Sequence, residues 1–306
     1  MALTTTAEFN PVLSEVLNKI GANRFVGTQI LPFRNVALSN GQYPVFGAEQ
    51  FDNDAAKARA PGSKSARIDF GYGQQDYACK QYSLEGPLPD EDRNKAEQDG
   101  IDDVEAALGM KLQRNLMVSH ERRVADLVYN AGFNSTAQTG AVMSTSATAK
   151  PIVTIQNAVE RLNGNGFFDN LALIIETSLY NELLNTDDVR DIFNGAGIYN
   201  NRQVLLDALG VNQIILCPTR YNAAAKGKDA SRSKIWPDDK YLVAQVGGGD
   251  FANGGFGRTL AYIPNGGAFT AENYREEQAQ SDILRVKNSV AEVVINTNAG
   301  ELITSA

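Results

Sequence analysis

Apolar residues recur at helical spacing in some stretches and alternate in others, and this division lays out most of the chain. Val12, Leu13, Val16, Leu17 and Ile20 share one helical stripe. Asn10 precedes them as a favourable N-cap, Pro11 takes the first helical position, and Gly21 supplies the stop. So short a helix is marginal alone, so its stripe needs a neighbour, which another subunit could provide. A longer row of Ile101, Val104, Leu108, Leu112, Leu116, Val124 and Val128 predicts a helix over about 98–131, ending near Asn130-Ala131-Gly132. Further helices are expected over 152–162, over Leu179, Leu183 and Leu184 behind a Thr177 cap, and over 202–209 with Gly210 as the stop.

Strand signals fill the rest. Val36-Ala37-Leu38 and Tyr43-Pro44-Val45 flank Ser39-Asn40-Gly41, which predicts a hairpin turn at 39–41. Residues 51–67 hold few large apolar side chains but carry Lys57, Arg59, Lys64 and Arg67. Alternation resumes over 68–72 and from Tyr77 to Leu84. The expected result is a long two-stranded excursion with a polar, basic tip. Such a hairpin is barely stable alone in water, so it must lie on something. Leu171–Ile175 reads as a buried strand and 213–216 as another. Strands are then expected over 241–246, 258–263, 269–275, 283–286 and 290–295. The class is α+β, with one long helix, a projecting hairpin and no internal repeat.

Composition sharpens this. The 306 residues are 43% hydrophobic and 21% charged, enough for one large core or two modest ones. The longest apolar run, Leu171–Ile175, is far below the roughly 18 residues of a membrane span. Met1–Phe9 has neither a basic nor an apolar region of the secretory kind. A net charge of −8 argues against a tight grip on nucleic acid. That charge is local: residues 85–105 hold nine acids against two bases. The acids precede the long helix, where its dipole favours them.

Candidate chemistry is sparse. Cys79 and Cys217 allow one disulfide at most and read as reduced thiols. With His120 they make three scattered ligands, too few for structural zinc. Ser119, His120 and Glu121 are adjacent on a helix, about 100° apart, and cannot form a relay. His120 therefore reads as a core or subunit-contact residue. The glycines at 247–257 lead into a strand rather than a helix, so they read as a turn and not a phosphate loop. Gly62-Ser63-Lys64-Ser65 lacks the glycines of a nucleotide loop, and the acids of 85–105 match no calcium loop. No constellation supports an enzyme, and no cofactor or metal is expected.

The order of parts is more informative. An extended N-terminal segment, a long hairpin, a long helix, an α/β region and returning strands resemble the major capsid proteins of tailed bacteriophages, the Hong Kong bacteriophage capsid fold. Ile30-Leu31-Pro32 resembles the N-arm entering the E-loop, and Tyr82–Glu91 is similar to the stretch joining that loop to the spine helix. Leu173-Ile174-Ile175 with Leu179–Leu183 looks like the P-domain strand and helix. Ala208–Val211 with Ile214–Cys217, and Ile235–Asp239, look like A-domain phrases. Ser281–Val286 and Asn298–Ile303 resemble the C-terminal P-domain ending.

The resemblance implies an N-terminal arm over 1–40, an E-loop over 41–85, a P-domain with the spine helix over 86–180, an A-domain over 181–268 and C-terminal strands returning to the P-domain over 269–306. It implies a shell protein of the virion, made in the host cytoplasm, that builds hexameric and pentameric capsomers around double-stranded DNA held by weak non-specific contact. A scaffolding protein, a portal and decoration proteins are the other partners expected, with no membrane. Assembly contacts are expected between Lys57, Arg59, Lys64 and Arg67 of the loop and Asp99, Asp102 and Asp103 of a neighbour. The Lys–Asn crosslink of some family members is not predicted, because no local motif fixes a pair. Two alternatives stand beside this reading: an encapsulin-type nanocompartment shell, whose cargo the short N-terminal helix would suit, and a soluble metal-dependent α+β enzyme.

Overall fold

The computed structural model describes residues 7–20, 25–45, 56, 58–59, 61–65, 67, 71–99, 103–136, 149–195, 202–225, 227–247, 255–263 and 268–305. The first part of the chain forms β1 (Glu8–Phe9), α1 (Pro11–Ile20), α2 (Gly27–Ile30), β2 (Phe33–Val36), β3 (Asn40–Val45), β4 (Gly73–Ala78) and β5 (Lys80–Pro89). Next come α3 (Asp90–Gln98), α4 (Val104–Asn130), β6 (Asn134–Thr136), α5 (Pro151–Gly164), β7 (Leu171–Glu176), α6 (Thr177–Asn185), α7 (Asp187–Gly195) and α8 (Arg202–Leu209). The last part is β8 (Gln213–Cys217), β9 (Arg220–Asn222), β10 (Arg232–Lys234), β11 (Lys240–Gln245), β12 (Gly257–Tyr262), β13 (Thr270–Glu276), β14 (Ser281–Val294) and β15 (Gly300–Thr304).

Two sheets organise these elements. One runs β1-β13-β14-β12-β2, with β5 also paired to β14. The other runs β6-β15-β11-β7-β8, and all six residues of β7 are buried. Around this second sheet lies the larger core, which takes in Val124, Ala125 and Val128 of α4. A smaller core joins Leu13 and Leu17 of α1 to Leu112, Leu116 and Met117 of α4 and to Leu284 and Val286 of β14. α4 therefore spans both cores. At the start of β12 the backbone passes so close to β14 that a Cβ on Gly257 would stand 2.7 Å from the Val293 carbonyl.

Several expectations hold. The Leu13 amide donates to Asn10 Oδ1 at 3.0 Å, so Asn10 caps α1. Pro11 opens α1, the helix expected over 152–162 is α5, and Gly210 ends α8 at φ +70°.

Others are corrected. Residues 39–41 make no hairpin turn. β2 pairs in parallel with β12, while β3 pairs with β4, so the two flanking segments belong to different sheets. Gly41 lies inside β3 because its bare backbone admits the Tyr77 ring, whose hydroxyl donates to the Leu38 carbonyl at 3.1 Å. The long helix begins at Val104, not near 98: α3 ends at Gln98 and Asp103 caps a fresh start. Glu176, not Thr177, caps α6, its carboxylate accepting from the Ser178 amide. The strands expected over 283–286 and 290–295 are one, because Lys287 pairs with Glu272 and Asn288 keeps its place in the ladder opposite Tyr82. The neighbour of α1 is this chain's own α4.

Candidate assembly surfaces

β3 and β4 form a sheet of two strands in register from Asn40–Ala78 to Val45–Gly73. Tyr43 Oη donates to Gln75 Oε1 at 2.5 Å, and Gln42 Nε2 to Asp76 Oδ1 at 2.9 Å. Five of the six residues of β4 are exposed, and no third described strand covers either outer edge. Open edges of this kind are templates for pairing with another chain. The segment joining the strands carries Arg59, Lys64 and Arg67, all exposed, while Lys57 lies outside the described residues. At the root of this ribbon the Cys79 amide donates to the Ser39 carbonyl at 2.7 Å.

The acidic stretch is less free than its sum implies. Arg285 holds Glu85 at 2.6 Å, and Arg275 grips Asp90 through two bonds of 2.7 Å. Arg93 bridges Glu105 at 2.7 Å and Asp282 at 2.8 Å. The Arg275 fork keeps the Asp90 carboxyl below the usual carboxylate range. These arginines come mostly from β13 and β14, against which β5 and α3 dock. Asp102 lies outside the described residues, and Asp103 is committed to α4, accepting from the Ala106 amide at 2.8 Å. Asp103→Ala should therefore lower stability by about 1 kcal/mol, seen as an earlier urea midpoint with unchanged slope. Unchanged stability would show that the cap is dispensable. Asp99 is exposed, as are Glu91 and Asp92 on α3, and none of the three forms an ion pair with a described residue.

A buried charged hub stands where the ribbon meets the body. His120 Nδ1 and Glu292 Oε1 are 2.8 Å apart, and Arg123 reaches the same carboxylate at 3.0 Å. The His120 ring stacks on Phe33 of β2, and the Arg123 guanidinium lies 3.6 Å from the Tyr82 ring of β5. Both roots of the ribbon thus touch a group that binds Glu292. Burial opposes charge on this carboxyl, but the His120 bond and the Arg123 guanidinium outweigh it and pull it down to about 2. Glu121 turns the other way, into the larger core, where Trp236 Nε1 donates to it at 2.8 Å. The neighbours His120 and Glu121 form no relay, as their spacing requires. Sequence reasoning passed over Glu292, although an acid inside Val290-Ala291-Glu292-Val293-Val294 is a visible signal.

Among the described residues no group of three His, Cys, Asp or Glu side chains could hold a metal ion, and no helix is long and apolar enough to cross a membrane. No family model and no curated protein matches the chain. Solved structures do. A phage-related protein from Bordetella bronchiseptica RB50 is 20% identical with a TM-score of 0.77, over 98% of both chains. The capsid of the cyanophage P-SCSP1u is 14% identical with a TM-score of 0.58, over 94% of this chain and 90% of that one. A virus-like particle from Pyrococcus furiosus is 13% identical with a TM-score of 0.54, over 95% of each. The chain has the fold these proteins share, the Hong Kong bacteriophage capsid fold.

Proposed function

We propose that this chain is a structural shell protein, building hexameric and pentameric capsomers of an icosahedral capsid around double-stranded DNA. The observation that carries the reading is the β3–β4 ribbon. It has open edges, an exposed β4 and a basic tip, and no third described strand pairs with it. A second copy supplies what it lacks: a surface to lie on and charges to meet Arg59, Lys64 and Arg67. The partner charges are those left free by internal pairing, Glu91, Asp92 and Asp99. In this reading the ribbon is the E-loop, α4 the spine helix, and residues 181–268, with β8–β11, the A-domain. Scaffolding, portal and decoration proteins would be its further partners, and the virion its place.

The full-length likeness to a cyanophage capsid supports the shell, and the likeness to a virus-like particle keeps a nanocompartment in view. Burial of Leu13 and Leu17 in the chain's own core favours the phage reading, because it takes away the apolar stripe a cargo peptide would use. Purified full-length protein should form closed shells visible by electron microscopy. Shells holding a cargo protein and no portal would replace this reading with a nanocompartment, and a monomer on gel filtration with a bound metal would overturn it for the enzyme.

A further inference from the structure

The chain carries a net charge of −8, yet the solvent side of α4 is basic. Between Ala107 and Arg122 no exposed position of the helix is acidic; Lys111, Arg114 and Arg122 stand there, with Asn115 and Ser119 among them. Glu121, within that span, is buried against Trp236. At about 100° per residue the three cations fall within an arc of about 80°, and Lys111 and Arg122 are three turns, or about 16 Å, apart. Lys111 and Arg114 form no ion pair with a described residue. Arg122 lies 5.0 Å above the Tyr221 ring of β9, which joins the stripe to the β9–β10 hairpin and its exposed Arg220, Lys228 and Arg232. Exposed acids accompany these six cations: Asp126 and Asp229, and beside Asp126 the Asp238 carboxylate, which Lys234 holds at 2.8 Å.

Resting on the shell reading above, we propose that this surface faces the lumen and touches the phosphate backbone of double-stranded DNA without reading its sequence. A rigid row of cations matches a ligand that offers one negative charge per ~1.7 Å of axis. The side-chain amide of Asn115 and the hydroxyl of Ser119 suit phosphate oxygens. A protein partner would call for aromatic or aliphatic anchors, and the exposed stripe carries a single large apolar residue, Met110. The acidic remainder of the chain keeps the contact weak, so that the DNA can leave.

The test uses the unassembled full-length chain and a fluorescent mixed-sequence duplex of about 20 bp, with affinity measured from ~25 to ~200 mM salt. Each phosphate contact adds about −0.9 to the slope of log affinity against log salt, so K111Q/R114Q/R122Q should lower the slope by about 2.7 and the low-salt affinity at least tenfold. R220Q/R232Q should lower the slope by about 1.8. Circular dichroism confirms that each variant is folded. An unchanged slope in the triple variant, or no binding by the wild type at ~25 mM salt, overturns the proposal. The same samples are then driven to assemble. A triple variant that keeps its DNA slope but builds no shells makes the stripe a subunit contact and also overturns it. Failure of the wild type to form shells instead refutes the shell reading, whatever the DNA result.

Discussion

Deletion of residues 52–66 is expected to abolish shell formation while leaving a folded, soluble chain. The segment lies in the chain between β3 and β4, and those of its residues that are described are exposed and belong to neither core. Shortening it changes loop-closure entropy by less than about 1 kcal/mol, so the melting temperature should stay within a few degrees. Assembly loses much more. Even a contact at the small end of stable interfaces covers about 1,000 Å², and under the proposed function the deletion takes the exposed basic tip out of that contact. Sedimentation and electron microscopy should show capsomers or monomers alone. Intact shells from the deletion would remove the ribbon from assembly. R59Q/K64Q/R67Q gives a graded comparison, because each exposed pair is worth at most about 1 kcal/mol. Those shells should still close, but at a higher protein concentration and with weaker dependence on salt.

The second large effect is expected at Glu292. Replacing it with alanine leaves His120, which is fully buried, and Arg123 without their shared anion. Removing one partner of a buried pair typically costs about 3–5 kcal/mol, enough to unfold a marginal domain at body temperature. The same residue sets part of the acid limit. Its folded pKa, about 2, lies below its ordinary value of 4.5. Its contribution is therefore fully present above pH ~4.5 and is lost as the pH falls from there through ~2, by about 3 kcal/mol in all. E292Q should lower stability at neutral pH and flatten the profile between those limits in urea titrations. Parallel profiles for the two proteins would show that the hub does not hold the carboxylate.

The long helix was legible because its apolar row repeats over seven turns, and α1 because Asn10 and Pro11 mark its start. The ribbon was legible through what 51–67 lacks. Pairing was less so, since it is decided far away in sequence. Asn40-Gly41 is a strong local turn signal, overruled because Tyr77 needs the space over Gly41 and β2 finds β12 instead. A charge sum over 85–105 likewise could not see Arg275 and Arg285, which neutralise Asp90 and Glu85 from nearly 200 positions away. The basic side of α4 was hidden for the opposite reason: three cations on one helix face vanish in an average over an acidic chain.

The place of β14 in its sheet bears on how the protein is made. It pairs with β5, β12 and β13, and 200 positions separate Arg285 from the Glu85 opposite it. A ribosome adds about 5–20 residues per second, so β5 waits roughly 10–40 s after synthesis before its partner exists. During that time the root of the ribbon has no sheet to hold it at a fixed angle. A nascent or truncated chain therefore holds its ribbon at no fixed angle, and under the proposed shell function the order of translation itself would keep incomplete subunits out of a growing shell.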